Sequence, residues 1–230
     1  MDLPKIIVEK ELAEKGVKIV LGVDEVGRGP LAGPVVAAAA WVNPLFLEKD
    51  FEKRNLVRDS KKLSEKQRAE ICEYILKSDD FVIGIGEVSH RTVDKINILN
   101  ASLLAMKIAV EDVMEKFDQT NHFSKQTENL KSCLLVDGNR EIPKMKMKQR
   151  LFSKGDARIF SIAAASICAK VYRDELMQEY HKKWPRFGFD THKGYGTKKH
   201  MDALQKVGLC QIHRKSFGPV KDLLTEALKP

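Results

Sequence analysis

Two apolar runs near the start of the chain, joined by a short glycine-rich acidic loop, constrain the possible fold more than any other feature. Val17–Val23 is rich in β-branched residues, and Val35–Val42 is apolar throughout and bounded by Gly33-Pro34 and Asn43-Pro44. Both runs therefore predict buried strands. Because the connection between them is short, we expect the two strands to be antiparallel neighbours in one sheet.

The connecting loop carries chemistry of its own, with the sequence Asp24-Glu25-Val26-Gly27-Arg28-Gly29-Pro30. Two unit charges about 4 Å apart interact by about 4 kcal/mol at an effective dielectric near 20. Adjacent carboxylates at a strand end therefore need solvent exposure, a raised pKa or a bound cation. Glycines on both sides of Arg28 let a ligand approach the main chain closely, and a guanidinium suits a phosphate. The loop thus combines acids suited to a metal with a pattern suited to phosphate.

The remaining pattern interleaves helices and strands. Ser64-x-x-Gln67 is a capping-box signature and predicts a helix to about Lys77. The strongest helical periodicity is carried by apolar residues at steps of four and three, namely Leu99, Leu103, Met106, Val110, Val113 and Phe117. The other predicted elements are a strand at Phe81–Val88, a surface loop at Asp118–Lys131, a strand at Cys133–Val136, a helix from near Ser161 within Ala157–Trp184, a loop at Phe187–Gly196, a helix at about Lys198–Val207 and a short final helix.

This order predicts an α/β fold, in which helices flank a mixed β-sheet and the C-terminal part is helical. We expect one domain over residues 17–230, preceded by an N-terminal extension at residues 1–16. The 40 Lys and Arg residues exceed the 32 Asp and Glu residues and give a net charge of +8, which suits an anionic partner. Charge alone is weak support for nucleic acid, because many basic proteins bind none.

Composition also bears on location. The four cysteines form no Cys-x-x-Cys pair, so we interpret them as small core residues of a reducing compartment. The N-terminal residues lack an apolar signal core, and the longest apolar stretch, Leu31–Val42, is too short to span a bilayer. These features predict a cytoplasmic protein.

Carboxylates recur where predicted strands and helices meet. Asp24 and Glu25 follow the first strand, Asp137 follows a later one, and Asp156 precedes the long alanine-rich helix. Taken singly, each could be a solvated loop residue, and Asp156 could equally be the N-cap of that helix. Brought together, the four would bind a hard divalent cation such as Mg²⁺ or Mn²⁺.

Two further segments are candidates for phosphate and ribose contacts. Asp59-Ser60-Lys61-Lys62 precedes a helix and is either a solvated turn or a phosphate clamp made of a hydroxyl, lysine charge and helix amides. Tyr195 lies between Gly194 and Gly196, as expected for an exposed ring that stacks on a nucleotide, although a core tyrosine with a polar tip remains an alternative. His192 and His200 flank it at a spacing more typical of surface residues than of ligands.

Together, these segments resemble bacterial ribonuclease HII. The resemblance runs from Gly22 to about Pro219 and is carried by seven ordered motifs. As they stand here, they are Gly22-Val23-Asp24-Glu25-Val26-Gly27-Arg28-Gly29-Pro30, Asp59-Ser60-Lys61-Lys62-Leu63, Val136-Asp137-Gly138-Asn139, Lys154-Gly155-Asp156, Ser161-Ile162-Ala163-Ala164-Ala165-Ser166 with Ala169-Lys170-Val171, His192-Lys193-Gly194-Tyr195-Gly196-Thr197, and His213-Arg214-Lys215-Ser216-Phe217.

The resemblance implies an RNase H-like fold. It also implies an endonuclease, acting as a monomer, that cuts RNA–DNA hybrids and ribonucleotide-containing duplex DNA with Mn²⁺ or Mg²⁺. It assigns catalysis and metal binding to an acidic cluster, consisting of Asp24, Glu25, Asp137 and Asp156. It assigns nucleic-acid contacts to two loops and a turn, consisting of Gly27, Arg28, Gly29, Ser60, Lys61, Lys62 and Tyr195. Asp174 also falls in a family motif, and we prefer Asp156 to it as the fourth carboxylate.

Two alternatives remain open. A non-catalytic nucleic-acid-binding domain would show the same basic surface but would not need the acidic cluster. A hybrid nuclease of the ribonuclease HIII type would share the broad fold, but the expected absence of a long N-terminal substrate-binding domain disfavours it. Departures from the ribonuclease HII pattern are modest: Tyr172 stands where a smaller residue is common, and residues 1–16 lengthen the N-terminus.

Overall fold

The computed structural model describes residues 3–49, 56–120 and 130–226. Its centre is a five-stranded mixed sheet with the spatial order β3-β2-β1-β4-β5. The strands are β1 (Ile19–Val26), β2 (Val35–Val42), β3 (Phe81–Val88), β4 (Ser132–Asp137) and β5 (Lys148–Phe152). The predicted mixed sheet is confirmed, as is the antiparallel pairing of β1 with β2.

Strand direction positions the acidic residues. β1 and β4 are parallel, and Val23 stands beside Val136 in the register of the pair. The next residue of each strand is an aspartate, Asp24 on β1 and Asp137 on β4. Because parallel neighbours end at the same edge of a sheet, the two carboxylates emerge side by side.

Eight helices occur among the described residues, together with short 3₁₀ turns. They are α1 (Ile7–Glu14), α2 (Pro44–Lys49), α3 (Glu65–Lys77), α4 (His90–Thr120), α5 (Phe160–Lys183), α6 (Phe189–His192), α7 (Lys198–Val207) and α8 (Gly218–Glu226). Ser64 and Gln67 form the predicted capping box at the start of α3. Helix α4 is interrupted at Asn97, whose φ of 65° is left-handed and whose side chain accepts a hydrogen bond from the Asn100 amide.

Helix α4 covers one face of the sheet and α5 covers the other. A Cβ atom on Gly86 of β3 would lie 2.0 Å from the Ala105 carbonyl oxygen, so α4 is seated directly on that strand. A Cβ atom on Gly22 of β1 would lie 2.2 Å from the Ser161 carbonyl carbon of α5. Small residues thus let both helices approach the sheet closely, and the buried alanines Ala163–Ala165 belong to the core beneath α5.

The N-terminal residues belong to a further buried cluster. Leu12 of α1 packs in one buried cluster with Leu135 and Ile162. Glu9 is 4% exposed, and its Oε1 accepts hydrogen bonds from the Ser161 amide at 2.9 Å and the Ser161 hydroxyl at 2.8 Å. A side chain of helix α1 therefore accepts hydrogen bonds from the first turn of α5. The division into residues 1–16 and 17–230 stays a prediction.

A separate apolar cluster supports the C-terminal helices, and its buried members are Leu31, Ala32, Met177, Phe187, Phe189, Leu204, Ile212 and Val220. The helical C-terminal part is thus confirmed. None of the helices in the described ranges is long and apolar enough to cross a membrane.

Two local predictions need correction, and one strand lies where none was predicted. Strand β5 was not predicted, because it carries Lys148 and Arg150 instead of an apolar run; among the described residues it pairs with β4 alone, at the sheet edge. The loop predicted at Phe187–Gly196 contains helix α6, anchored by buried Phe189. The loop predicted from Asp118 begins later, since α4 continues to Thr120; residues 121–129 lie outside the described residues.

Candidate active site

The candidate site lies where β1 and β4 end. Asp24 is 6% exposed, and its Oδ1 accepts a hydrogen bond from the Glu25 amide at 2.8 Å. Burial raises the pKa of Asp24 well above its ordinary value, and the neighbouring charges of Glu25, Asp137 and Asp156 raise it further. Each of the other three predicted carboxylates therefore lies close enough to Asp24 to oppose its ionisation.

The pKa values of Glu25 and Asp137 are raised as well. Burial is the main cause for Glu25, and Asp137 adds to it, whereas Arg28 acts in the opposite direction. Arg28 reaches Glu25 Oε1 with its Nη1 atom at 3.1 Å. For Asp137, burial is again the main cause; the Gly155 amide opposes it and Asp156 reinforces it. Carboxylates with raised pKa values that destabilise one another favour a cation between them.

Asp156 reaches this cluster from a 3₁₀ turn at Gly155–Ala157. The Gly155 amide donates to Asp137 Oδ1 at 2.6 Å, which joins the turn to the end of β4. Asp156 does not cap α5, because the N-cap of that helix is Ile159 and Glu9 accepts the Ser161 amide hydrogen bond. Of the two roles considered for Asp156, the structure therefore excludes the helix cap.

A lysine supplies positive charge to the cluster. Lys61 Nζ lies 2.7 Å from Asp156 Oδ2, and this carboxylate is almost fully buried. Hydrogen bonding to Asp156 raises the pKa of Lys61, with smaller contributions from the charges of Asp156 and Asp24. Lys61 thus partly offsets a group of buried negative charges.

The four carboxylates fit a divalent metal in chemistry but do not form a finished cage. Within residues 3–49, 56–120 and 130–226, no three histidine, cysteine, aspartate or glutamate side chains already stand in an arrangement that could hold a metal ion. Mutual repulsion and the Lys61–Asp156 ion pair both work against such an arrangement. Hard oxygen donors are nevertheless the ligands that Mg²⁺ and Mn²⁺ prefer, and a bound cation would stabilise the negative charges of Asp24, Glu25 and Asp137, whose pKa values are raised.

The loop after β1 forms a second part of the site. Gly27 is buried, with a φ of 91°, and a Cβ atom there would lie 2.3 Å from Arg173 Nε. Arg28 and Gly29 are exposed. The Tyr195 ring, 41% exposed, lies beside this loop, since a Cβ atom on Gly29 would be 3.6 Å from its Cε1 atom. The structure therefore places the predicted ribose-contacting residues of two loops next to each other.

Two buried arginines join these loops, and sequence reasoning gave them no role. Arg214 donates to the carbonyl oxygens of Gly27 at 2.6 Å and Arg28 at 3.1 Å. Arg173 donates to the carbonyl oxygens of Pro34 and Lys193, both at 3.0 Å. Burial lowers the pKa of Arg214 to about 9. For Arg214, its position inside the last of the seven motifs was the available signal, but basic residues are usually interpreted as surface groups.

The other candidates divide by exposure. Ser60 is 6% exposed, and its Oγ lies 2.9 Å from Ser166 Oγ, so its hydroxyl supports the turn from inside. Lys61 and Lys62 are exposed. Asp174 pairs with Lys170 at 2.6 Å on the same helix and does not contribute to the shifted pKa of Asp24.

The two histidines flanking Tyr195 contradict their prediction. His192 is 7% exposed and His200 is fully buried, so neither is a surface residue. Their rings stack with centroids 4.4 Å apart, and Phe189 packs edge-on against both. The core of the C-terminal part, which a spacing argument does not reveal, encloses them.

Comparisons with known proteins bear on the family and on the fold. The family model described as Ribonuclease HII matches residues 21–220. A ribonuclease HII of Caldanaerobacter subterraneus subsp. tengcongensis is 46% identical over 91% of this chain and 78% of its own length. Among solved structures, ribonuclease H2 of Pyrococcus horikoshii has a TM-score of 0.65 and 24% identity, with 92% of this chain and 99% of that chain covered. Bst-RNase HIII in complex with Mn²⁺ has a TM-score of 0.66 and 18% identity, with coverage of 94% and 72%. These structural likenesses show a shared RNase H-like fold.

Proposed function

Because the chain belongs to the ribonuclease HII family and is therefore an endoribonuclease, we propose that it cleaves RNA–DNA hybrids and cuts 5′ of single ribonucleotides embedded in duplex DNA, with Mn²⁺ or Mg²⁺ as cofactor. The buried carboxylate cluster carries this proposal. Four acids from three segments converge, and burial together with neighbouring negative charge raises the pKa values of Asp24, Glu25 and Asp137. Such an arrangement costs stability and is typical of functional sites. Curated ribonucleases HII and the Mn²⁺ complex of a fold relative support the same interpretation.

Asp24, Glu25, Asp137 and Asp156 would hold the ions. When bound, such ions activate a water molecule and stabilise the charge on a leaving oxygen in phosphodiester hydrolysis. The products would carry a 5′-phosphate and a 3′-hydroxyl. These four residues contribute the negative charge at the site. The Gly155 amide, 2.6 Å from Asp137 Oδ1, orients one of the carboxylates.

Ribose selection would lie with Gly27-Arg28-Gly29 and Tyr195. The 2′-hydroxyl is the group that distinguishes RNA from DNA at a given position. A glycine loop lets a sugar approach the main chain, and the exposed Tyr195 ring beside Gly29 offers a surface for stacking together with a hydroxyl. Contact with both loops would place the ribonucleotide beside the acidic cluster.

Phosphate contacts would come from Lys61 and Lys62. The Lys61 ammonium already lies at the cluster, through its contact with Asp156, so it can approach a phosphate on the cleaved strand. Ser60 would act indirectly, by holding the turn through Ser166. We also propose that the protein is a monomer and that it is cytoplasmic. Its free cysteines, most of which are buried, suit the reducing conditions of the cytoplasm.

The test is cleavage of three matched duplexes, containing one ribonucleotide, four ribonucleotides or none, with Mg²⁺ or Mn²⁺. We expect cutting of the first two, and Asp137→Asn should abolish it while the circular dichroism spectrum stays unchanged. Cleavage of the four-ribonucleotide duplex alone would favour a ribonuclease HIII-like specificity. Binding without any cleavage would favour the non-catalytic alternative. Parental activity in Asp137→Asn would remove Asp137 from the site.

A further inference from the structure

A hydrogen-bond network in the C-terminal core, built on two histidines, ends at the main-chain carbonyl group of Tyr195. His200 Nδ1 lies 2.9 Å from the Tyr195 carbonyl oxygen, and His200 Nε2 lies 3.1 Å from His213 Nε2. On the far side of the pair, the Cys210 amide donates to His213 Nδ1 at 2.9 Å. Both rings are buried, His200 at 0% and His213 at 1% exposure. The network therefore links the 210–213 turn to the loop that carries Tyr195.

The hydrogen-bond partners determine where the protons lie. A carbonyl oxygen only accepts, so His200 must carry its proton on Nδ1, which leaves Nε2 as an acceptor. His213 must then donate from its Nε2 atom, and its Nδ1 atom is free to accept the Cys210 amide hydrogen. Each ring is neutral in this arrangement, and each of its nitrogens has a partner.

A second proton on His200 would break the hydrogen bond between the two rings, and a second proton on His213 would change its contact with Cys210. Protonated His200 would place one N–H group against another at the 3.1 Å contact. Protonated His213 would lose the hydrogen bond from the Cys210 amide, and its Nδ1 atom would instead donate to the Cys210 carbonyl oxygen or sulfur, each 3.2 Å away. Burial agrees with this geometry, since it lowers the pKa of His200 and of His213 to about 4. The pair is thus fixed in one tautomeric state at neutral pH.

The same carbonyl holds the start of the next helix. The Tyr195 carbonyl oxygen also accepts from the Thr197 amide at 2.8 Å, and Thr197 caps helix α7. On the other side of the loop, the Leu31 amide donates to the Gly194 carbonyl oxygen at 2.8 Å. The main chain on both sides of Tyr195 is therefore fixed, while its ring remains exposed beside Gly29.

We propose that His200 and His213 are positioning residues, which hold the main chain of Tyr195 so that its ring faces the ribose of the substrate. This inference rests on the proposed role of Tyr195 in ribose recognition. Among the described residues, no hydrogen bond or ring contact joins either histidine to the carboxylate cluster, whereas His200 contacts the main chain of Tyr195 directly and His213 contacts His200, so their effect on the substrate would pass through Tyr195. A shift of about 1 Å in a group that positions the substrate can lower the reaction rate about a hundredfold. A side chain remote from the reacting atoms can therefore affect catalysis.

Two substitutions at His213 separate geometry from packing. His213→Gln retains a donor for His200, whereas His213→Phe retains an aromatic ring between Phe187 and Phe189 but removes the donor. We expect His213→Phe to lower kcat/KM on the single-ribonucleotide duplex about tenfold or more, and His213→Gln to retain activity within about threefold. His181→Phe, a histidine of helix α5 outside the network, is the matched control and should cleave as the parent does.

A double-mutant cycle with Tyr195→Ala tests whether His213 acts through Tyr195. In the Tyr195→Ala background, His213→Phe should cause no further loss of kcat/KM. Multiplicative losses would overturn the positioning role, because they would indicate a general structural effect. If Tyr195→Ala itself cleaves at the parental rate, the assignment of Tyr195 under the proposed function fails, and the positioning role fails with it.

A spectroscopic measurement is independent of activity and of the variants' folding. Long-range proton–nitrogen correlation spectra of the parental chain at pH 7 should show His200 in the Nδ1–H form and His213 in the Nε2–H form. Protonated rings, or His200 in the Nε2–H form, would overturn the inference. Loss of cleavage on every duplex would instead concern the proposed function, and these spectra would still decide the hydrogen-bond pair.

Discussion

Replacing Asp24 with asparagine should make the protein more stable and inactive at once. Asp24 is 6% exposed and has three carboxylate neighbours, so its negative charge is poorly compensated. Two like charges about 6 Å apart repel by about 3 kcal/mol at an effective dielectric near 20. Lys61 offsets part of this repulsion through Asp156. Asparagine removes the charge and retains an oxygen that can accept the Glu25 amide hydrogen bond, now at 2.8 Å.

We expect a net gain of about 1–2 kcal/mol, since functional sites commonly carry this kind of strain. For a chain of this size, 1 kcal/mol shifts the melting temperature by about 2–4 °C, so the expected rise is about 2–8 °C. The pKa of Asp24 is raised in the folded state, so the folded protein binds a proton there more tightly than the unfolded chain does. Its destabilising effect therefore grows as the pH rises through the folded pKa and vanishes below the ordinary value of 3.8.

The assay is differential scanning calorimetry with EDTA, repeated from pH 8 downwards. The advantage of Asp24→Asn should be largest at pH 8 and should shrink on acidification. Mn²⁺ at about 100 times its dissociation constant should stabilise the parent by about 2.7 kcal/mol and should stabilise the variant much less. Asp112→Asn is the control, because Asp112 is paired with Lys116 at 2.8 Å and its replacement should bring no gain. A lower melting temperature for Asp24→Asn at pH 8, or a gain independent of pH, would refute the reasoning.

Further predictions concern the fold around the site. Gly22→Ala should lower stability by about 3 kcal/mol or more, because its Cβ would meet helix α5 at 2.2 Å, while Gly218→Ala, with nothing within 4 Å, should be neutral in urea titrations. Arg214→Lys keeps the charge but loses the guanidinium group, which donates hydrogen bonds to several carbonyl oxygens. We expect the free energy of unfolding to fall by about 2 kcal/mol in the same titrations, and unchanged midpoints would contradict this. His200 and His213 have pKa values of about 4 in the folded protein, against an ordinary value of 6.5. Each neutral ring therefore contributes stability above pH 6.5 that is lost as the pH falls towards 4. The loss is at most about 3 kcal/mol for each ring. His213→Gln should therefore show a shallower loss of urea stability over that range, and an equally steep one would argue against neutral rings.

The elements that position the acids were predictable from local pattern. β1 and β2 are continuous apolar runs, because helices cover both faces of the sheet, and Asp24 follows the first run directly. The Ser64 capping box likewise specifies the start of α3 from a few neighbouring residues. A strand that is buried on both faces shows in the sequence as a continuous run of apolar residues, whether its neighbours are parallel or antiparallel.

The residues that sequence reasoning missed depend on contacts between distant segments. Arg173 and Arg214 are buried because carbonyl oxygens of the loop after β1 converge on their guanidinium groups, over separations of more than a hundred residues. His200 is buried because its partner lies 13 residues further on, within the same apolar cluster. Strand β5 escaped prediction for a related reason: its main-chain pairing with β4 stabilises it, whereas its side chains show no apolar pattern.

The most direct test of the account is to locate Mn²⁺ by anomalous X-ray scattering in crystals of the full chain bound to a ribonucleotide-containing duplex. The account predicts ions whose ligand shells contain oxygens of Asp24, Glu25, Asp137 and Asp156, with the Lys61 ammonium released from Asp156. Ions bound away from these four carboxylates, with the duplex in place, would contradict it.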